Sequence, residues 1–449
     1  MVVNSMSYAK YESYKDSGVD WLGEIPSDWD LVPLRAIFRF RNEKNNPVIT
    51  ENILSLSIAK GVTGYDDENR GGNKRKDDIT AYKIARPNDI VLNSMNVIVG
   101  AVGVSKYFGA ISPVYYALYA FNDLGYVPYF NWIFQNTGFQ KGLLKYGKGI
   151  LIKLGEEGKM NTIRMKISQD DLKVLQFPLP NFEKQTKIAN FLDQKTAQID
   201  QAIALKQQQI EKLNEYKQIV IQNAVTKGLN PNAPMKNSGV EWIGDIPEHW
   251  DVKKLKYLTS KIGSGITPSG GATTYVDKGI PLLRSQNIHF DGLVLDNVAN
   301  ISLNVHKSMK NSQVKQHDVL LNITGGSLGR CCYNSSNDEM NVNQHVCIVR
   351  PNNLIKGEFL NGLMSSEVGQ KQIWFFQQGG GREGLNFQNL KNFDFPLPSI
   401  DEQKEIIAHI EILKQHFKKS VDNYQTQIDR LKEYKNILIN QAVTGKIKI

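Results

Sequence analysis

Residues 15–35 read KDSGVDWLGEIPSDWDLVPLR, and residues 236–256 read KNSGVEWIGDIPEHWDVKKLK. These two repeat segments align without a gap and are identical at 11 of 21 positions. A second repeat begins at FPLP, residues 177–180, which recurs at residues 395–398. This second alignment also holds without a gap, as far as the Ala-Val-Thr at residues 224–226 and 442–444. Self-similarity at a fixed, long offset indicates a tandem duplication of about 220 residues.

The segments that follow FPLP predict two long helices. Residues 183–226 and 401–444 contain no Pro or Gly and are rich in Lys, Gln, Glu, Leu and Ile, which are mostly good helix formers. Their apolar residues recur in alternating steps of three and four, which is the heptad period of a coiled coil. The predicted seam comprises Leu192, Ile199, Ile203, Ile210, Leu213, Val220, Ile410, Phe417, Val421, Ile428, Leu431 and Leu438.

A single amphipathic helix lying on a globular core is the alternative to a coiled coil. About 44 residues at a rise of about 1.5 Å give a rod of about 65 Å, which is too long for the surface of one domain. We therefore expect the two helices to pair with each other. Four lysines interrupt or edge the seam, and they either fix its register or extend their ammonium groups to solvent: Lys206, Lys217, Lys414 and Lys435.

The two bodies, roughly residues 36–176 and 257–394, predict a mixed α/β (α+β) fold. Short apolar runs alternate with Gly, Asn and Pro, which predicts strands at 90–92, 97–99, 115–119, 319–321 and 346–349. Helices are predicted at 128–141 and 356–373. The expected domains are 1–180, the first body with its repeat segment; 181–228, the first long helix; 229–398, a linker and the second body; and 399–449, the second long helix and C-terminus.

Composition sets loose bounds on function. The 449 residues include 54 Lys plus Arg against 45 Asp plus Glu, a net charge of +9, which permits contact with a polyanion without requiring it. Cys331, Cys332 and Cys347 form no even disulfide framework. Together with His345 they lack C-x₂-C zinc spacing, so we predict buried thiols and no metal site. Without a signal-peptide pattern or a run of 18 apolar residues, we expect a cytoplasmic protein with no membrane contact.

Four motifs of catalytic or nucleotide-binding sites are absent or incomplete in the sequence. It has no Gly-x₄-Gly-Lys-Ser/Thr loop and no Asn-Pro-Pro-aromatic tetrapeptide. Gly263-Ser264-Gly265 is followed by Ile, Thr and Pro, which destroys a dinucleotide fingerprint there. Residues 157–159, Glu-Gly-Lys, match only half of a nuclease signature, and a solvated loop is the better interpretation. We therefore predict that this chain is not an enzyme and has no catalytic residues.

Several of these features together resemble the specificity subunits of type I restriction–modification enzymes, over essentially the whole chain. The motifs are Trp-Leu-Gly-Glu-Ile-Pro at 21–26 with Trp29, Trp-Ile-Gly-Asp-Ile-Pro at 242–247 with Trp250, and both FPLP-to-helix transitions. In the second body, Asp-Val-Leu-Leu-Asn at 318–322, Gly329 and Asn343-Gln344 are similar to the family's recognition-domain pattern. The first body departs from it, because Ser112-Pro113 stands where an Asn-Gln pair is expected.

The resemblance implies both a fold and a function. Each body would be a target-recognition domain for one half of a bipartite, asymmetric site in double-stranded DNA. Two long antiparallel coiled-coil helices would separate the domains with pseudo-twofold symmetry and set the half-site spacing. Two modification subunits would supply S-adenosylmethionine and methyl transfer, and restriction (motor–nuclease) subunits would use ATP and Mg²⁺, so that this chain binds no cofactor.

Two other functions compete with this one. The first is a coiled-coil scaffold that links proteins without binding DNA, and the second is a single-chain methyltransferase–nuclease fusion. Missing methyltransferase motifs argue against the fusion. Two dissimilar polar bodies within a constant frame suit two different targets better than one repeated partner, which argues against the scaffold.

Candidate DNA-binding residues lie on loops near the strand ends. Sequence is read at base edges, whereas Lys and Arg on phosphates hold the register. The candidate base readers are Asn93, Ser94 and Asn96 in the first body and Asn322, Thr324, Ser327, Arg330, Gln344, Arg382 and Asn386 in the second. The candidate phosphate contacts are Lys74, Arg75, Lys76, Lys148, Lys153 and Lys159.

Overall fold

The fold is a mixed α/β architecture, which a computed structural model describes over residues 8–66, 78–150, 164–377 and 384–449. The chain divides into two compact units. Unit 1 comprises Met1–Lys206 with Gln425–Ile449, and unit 2 comprises Gln207–Tyr424. Each unit therefore combines one body with part of each long helix.

Unit 1 contains a four-stranded antiparallel sheet of order β4-β11-β8-β9 and several two-stranded pairs. Its strands are β1 Tyr14–Asp16, β2 Glu24–Pro26, β3 Asp30–Pro33, β4 Phe38–Phe40, β5 Leu54–Ser57, β6 Gly61–Gly64, β7 Lys83–Ala85, β8 Ile90–Asn93, β9 Val102–Val104, β10 Gly109–Ile111, β11 Tyr115–Ala120, β12 Lys148–Ile150, β13 Arg164–Lys166 and β14 Gln176–Leu179. Its shorter helices are α1 Val127–Gln135, α2 Thr137–Leu143 and α3 Gln169–Val174.

Unit 2 repeats this plan with a four-stranded sheet of order β18-β27-β24-β25 and adds a second four-stranded sheet, β19-β23-β20-β26. Its strands are β15 Met235–Asn237, β16 Asp245–Pro247, β17 Asp251–Lys254, β18 Thr259–Ser264, β19 Tyr275–Val276, β20 Ile280–Leu283, β21 Ile288–His289, β22 Gly292–Leu293, β23 Ala299–Ile301, β24 Val319–Asn322, β25 Cys331–Tyr333, β26 Asn341–Val342, β27 Val346–Pro351 and β28 Asp394–Leu397. Its shorter helices are α5 Leu255–Leu258, α6 Leu303–Ser308, α7 Gly357–Ser365, α8 Glu367–Phe376 and α9 Phe387–Lys391.

The two kinds of repeat found in the sequence pair with each other in the fold. In unit 1, β3 of the repeat segment pairs antiparallel with β14, which carries the first FPLP. In unit 2, β17 and β28 pair in the same way. Trp29 and Trp250, one in each repeat segment, are fully buried in the respective cores. The repeated sequence is therefore the frame on which each body is built.

The long helices are α4, Phe182–Lys227, and α10, Ile400–Val443, one residue from the predicted bounds at each end. They pair antiparallel in both units. In unit 1 the Lys435 Nζ donates to both carboxylate oxygens of Asp200 at 2.7 Å. In unit 2 the rings of Tyr216 and Phe417 meet edge to face, with centroids 5.9 Å apart. All twelve residues of the predicted seam are buried or half-buried.

A buried glutamine fastens each body to the start of its long helix. In unit 2 the Gln403 Nε2 donates to the carbonyls of Leu354 and Pro398, both at 3.1 Å, and its Oε1 accepts from the Lys356 amide at 2.8 Å. In unit 1 Gln185 makes the corresponding three bonds. Both side chains are fully buried, so each satisfies backbone groups that water does not reach.

The end of α10 completes the core of unit 1. Leu438, Ile439, Ala442 and Val443 are buried in the same cluster as Trp29. The helix stops at Gly445, which has φ +70°, and a Cβ there would lie 2.4 Å from Pro26 Cδ. Only glycine fits this left-handed position without displacing the proline.

Three sequence predictions of local structure are wrong. Residues 97–99 form a 3₁₀ turn rather than a strand, because the chain reverses there and Gly100 closes it at φ +84°. The predicted helix 128–141 is two helices, since the Asn136 side chain caps a new helix by accepting from the Phe139 amide. The predicted helix 356–373 likewise breaks at Ser366, which has extended backbone.

The three cysteine thiols are buried in unit 2, as predicted. Burial raises the pKa of both Cys332 and Cys347 to about 12, so these thiols stay protonated at neutral pH. Across the described ranges, no helix has the length and hydropathy that a membrane span requires.

Candidate nucleic-acid interfaces

A polar network in unit 2 lies where β24 ends and β27 begins. Thr267 Oγ1 is 2.5 Å from Gln344 Oε1, and Gln344 Nε2 is 3.0 Å from His345 Nε2. His345 Nδ1 is 2.7 Å from Thr324 Oγ1. Gln344 and Thr267 are exposed, and Thr324 is half-buried. The network thus fixes two sequence-predicted residues, Thr324 and Gln344, at one end of the sheet.

These bonds determine what the network presents to solvent. Because the Gln344 amide nitrogen donates to Nε2, the neutral His345 ring carries its hydrogen on Nδ1 and donates it to Thr324. Gln344 keeps one unused N–H and one unused lone pair on Oε1. A donor and an acceptor on one amide match the N6 and N7 edge of adenine in the major groove.

Ser327 and Asn386 lie beside this network. Asn322 Nδ2 donates to Ser327 Oγ at 3.1 Å, which holds Ser327 in the turn after β24. Asn386 is exposed and caps α9 by accepting from the Gln388 amide at 2.8 Å. The neighbouring Leu385 amide donates to the Ile323 carbonyl, so Asn386 stays at the end of β24. Arg330 follows the same turn and is half-buried.

A groove of about 400 Å³ adjoins the loop that carries Thr267. Gly265 and Ile266 line one side, and Lys307 and Lys310, both exposed, line the other. Neither lysine has an acidic partner among the described residues. Exposed ammonium groups beside a polar network suit phosphate oxygens next to the base edges.

In unit 1, lysines cluster at the corresponding place, near the end of β8 and the start of β11. Strands β12 and β13 pair antiparallel with Lys148 directly opposite Lys166. Lys83 Nζ donates to the Tyr115 carbonyl at 2.9 Å, at the start of β11. Burial, and then the charge of Lys166, lower the pKa of Lys83. Like charges directly opposite in a sheet are destabilising, so this cluster favours a polyanionic ligand.

The loop after β8 lies against this cluster. Ile167, the residue after β13, donates its amide to the Ser94 carbonyl at 2.9 Å. The loop exposes Asn96, while Asn93 is half-buried and accepts from the Met95 amide at 3.0 Å. Among the predicted residues of the first body, Asn93, Asn96 and Lys148 therefore lie in one region.

Two predicted base readers are corrected by their burial. Ser94 is fully buried and donates to the Val114 carbonyl at 2.8 Å. Asn322 is also fully buried, and its Nδ2 serves the Ser285 carbonyl and Ser327. Neither has surface from which to contact a base, so both position loops instead. The predicted residues Lys74, Arg75, Lys76, Lys153, Lys159 and Arg382 lie outside the described residues.

The two units present different side chains at equivalent backbone positions. Asn93 pairs with Tyr115 in unit 1 as Asn322 pairs with Val346 in unit 2, so Pro113 occupies the place of Gln344. The Tyr115 amide bonds to the Ser112 carbonyl just as the Val346 amide bonds to that of Asn343. The same turn therefore carries an amide side chain in one copy and a proline in the other.

Sequence reasoning missed four lysines of these regions: Lys83, Lys166, Lys307 and Lys310. Lys307 and Lys310 could have been predicted to lie together, because their spacing of three along a polar stretch places them on one side of a turn or helix. Lys83 and Lys166 had none, since they are far apart in the sequence and only the folding of the sheets brings them together.

Comparisons with known proteins agree on one family. Residues 247–433 match the family described as type I restriction modification DNA specificity domain. The chain is 24% identical to the provisionally named type I restriction enzyme MjaX specificity subunit of Methanocaldococcus jannaschii, over 99% of both chains. It is 30% identical to the type I restriction enzyme EcoBI specificity subunit of Escherichia coli, over 57% of this chain and 55% of that one. A solved chain from a type I R-M system shares the fold, with a TM-score of 0.68 and 13% identity over 93% of this chain and 98% of that chain.

Proposed function

We propose, on the premise that this chain belongs to the specificity subunits of type I restriction–modification systems, that each of its units binds one half of a bipartite, asymmetric DNA target. Unit 1 would use the loop with Asn93 and Asn96 and the lysines 83, 148 and 166. Unit 2 would use the Thr324–His345–Gln344 network and the lysines 307 and 310. Lysines hold the phosphates, and the loop side chains contact base edges.

The main support for this proposal is a difference between the two copies. On the same turn of the same scaffold, unit 1 has Pro113 where unit 2 has Gln344. A proline side chain offers no hydrogen bond, whereas an amide offers a donor and an acceptor. Two copies that have the same backbone but different side chains on this turn will prefer different bases. An asymmetric target follows from that difference.

The chemistry of the system belongs, in this proposal, to other subunits. The chain would direct two modification subunits that use S-adenosylmethionine, and restriction subunits that use ATP and Mg²⁺, without binding a cofactor itself. Its side-chain networks orient polar groups outward at strand ends, which serves recognition. The partner assignment rests on the family to which the chain belongs.

Selection of bound sequences from a random duplex pool, with the modification subunits present, tests the proposal. We expect two fixed half-sites of different sequence, separated by a spacer of fixed length and free composition. Two identical half-sites would contradict the asymmetry, and recovery of random sequence would favour the scaffold function. Incubation of the chain alone with S-adenosylmethionine and duplex DNA should transfer no methyl group.

A further inference from the structure

A cavity of about 510 Å³ lies within unit 2, between α7 and the paired long helices. Apolar side chains of both long helices line it, among them Ile221, Ile410 and Phe417. Gly362 of α7 and Glu411 of α10 face the same space. The volume is that of a small-molecule site. Six apolar side chains line it together with ten polar or charged ones, including Lys217, Glu358 and Lys414.

Unit 1 fills the equivalent position with an indole ring. Helices α1 and α7 have the same length and the same place in the repeated plan, and matching them from their first residues aligns Trp132 with Gly362. Trp132 is buried, and its Nε1 donates to Asp193 Oδ1 of α4 at 2.9 Å. Asp193 aligns with Glu411 in the gapless match that relates the two long helices. The cavity therefore lies where the other copy holds a tryptophan side chain.

The acceptor for a ring N–H is also present in unit 2. Glu411 Oε1 accepts from Lys414 on its own helix at 2.7 Å, which leaves lone pairs on its carboxylate. The adjacent Asn361 has a buried Oδ1 with no hydrogen-bond partner, as does its counterpart Asn131. An open cavity beside a carboxylate is what unit 1 would show without its tryptophan ring.

We propose that this cavity is a binding site for a planar heteroaromatic ring with an N–H donor, of the indole class. The ring would pack between the apolar walls from α4 and α10 and donate its N–H to Glu411, as Trp132 does to Asp193. Its source is either a small aromatic molecule or a tryptophan side chain of another protein. The site is independent of the DNA interfaces, so failure of one proposal leaves the other standing.

Calorimetric titration of the full chain with indole tests the site directly. Indole should bind saturably at one site, and indene, which has the same shape without the N–H, should bind about tenfold more weakly, since one hydrogen bond to a charged group is lost. Glu411→Leu should remove the difference between the two rings. Equal binding of indole and indene to the unaltered chain would contradict the proposed hydrogen bond to Glu411. Absence of saturable indole binding would contradict the proposed site.

Two variants form a matched pair. Gly362→Trp supplies the ring covalently and should abolish indole binding while raising the melting temperature; Val225 Cγ1, 2.9 Å from a Cβ at this position, must move slightly. Trp132→Gly should create a second indole site in unit 1. Indole binding to Trp132→Gly but not to the unaltered chain would overturn the proposal, and the indole–indene comparison on the unaltered chain holds whether or not either variant folds.

Titration of the chain bound to its modification subunits distinguishes the two sources of the ring. Loss of indole binding in that complex identifies the ring as a side chain of a partner. Retention identifies it as a free small molecule. Both results support the site.

Discussion

Lys166 lies beside other positive charges in unit 1. It is exposed, it faces Lys148 across a strand pair, and its charge lowers the pKa of Lys83. Like charges opposite each other in a sheet repel, and a ligand of opposite charge would relieve that repulsion. For this reason the lysine cluster indicates function more clearly than the loop polar residues do.

Lys166→Gln should weaken DNA binding and leave the stability of the chain unchanged or slightly higher. One phosphate contact fewer should reduce the slope of log affinity against log salt by about 0.9. Affinity measured at several salt concentrations, together with a melting curve, checks both parts. Lys10→Gln, the same charge change at another exposed lysine of unit 1, should leave the slope as it is. An unchanged slope in Lys166→Gln would remove this residue from the interface.

Gln344→Ala should relax the base preference at one position of one half-site. Loss of a bidentate contact to a base costs about 1–3 kcal/mol of discrimination. Sequencing of sites selected by the variant should show one degenerate position in the half-site read by unit 2. A uniform loss of affinity over all sequences would instead make Gln344 a support for His345.

At the scale of elements, the two long helices are the most predictable part of the chain and the loops the least. Helices α4 and α10 follow from composition and a heptad pattern, both of which are local properties of the sequence. The break between α1 and α2 depends on the side chain of a single residue, Asn136, accepting from the Phe139 amide. Asn93 and Ser94 are neighbours with similar polarity, yet strand pairing leaves one half-buried and encloses the other. Burial of loop residues depends on tertiary packing, which a local sequence pattern does not determine.

The buried glutamines Gln185 and Gln403 attach each body to the start of its long helix. Gln403→Met should lower the free energy of unfolding of the chain by at least about 2 kcal/mol, because three buried backbone groups lose their partner. Denaturant unfolding measures the change. Gln415→Met, an exposed glutamine on the same helix, should stay within about 0.5 kcal/mol of the unaltered chain. Equal effects of the two variants would contradict the role of Gln403.

For the whole molecule, duplication of the frame makes the bodies exchangeable in principle. Replacing residues 257–394 by the body of another family member should change one half-site and preserve the other. The exchange keeps β17, most of the strand pair with β28, and both long helices. Methylome sequencing of a strain that carries the exchange decides the matter, and a change in both half-sites would refute independent reading.

Insertion of one heptad into each long helix, after Gln208 and Thr426, tests whether the helices set the spacer. Lys206 Nζ and Gln427 Oε1 are 2.5 Å apart, so the two insertion points lie beside the same contact between the helices. Because the insertion is one whole heptad, the apolar seam stays in phase. Seven residues add about 10.5 Å at about 1.5 Å each. At about 3.4 Å per base pair, the preferred spacer should lengthen by about three base pairs.

Rotation should lower the affinity of the heptad variant at the same time. Three base pairs turn the duplex by about 100°, at about 10.5 base pairs per turn, whereas the helix insertion turns the seam by only about 20°. Selection from a library with randomised spacers checks the prediction. A variant that binds and still selects the original spacer would show that other subunits determine the distance.

The last turn of α10, which packs onto the core around Trp29, has a consequence for biosynthesis. Trp29 leaves the ribosome more than 400 residues before Val443 and Ile447, with which it shares a core. Unit 2 ends at Tyr424, so all of its parts emerge earlier than the residues that close unit 1. The usual vectorial order, in which the N-terminal domain folds first, is therefore reversed. We therefore expect the nascent first body to remain incomplete, with its apolar surface in reach of chaperones, until the last turn of α10 has emerged.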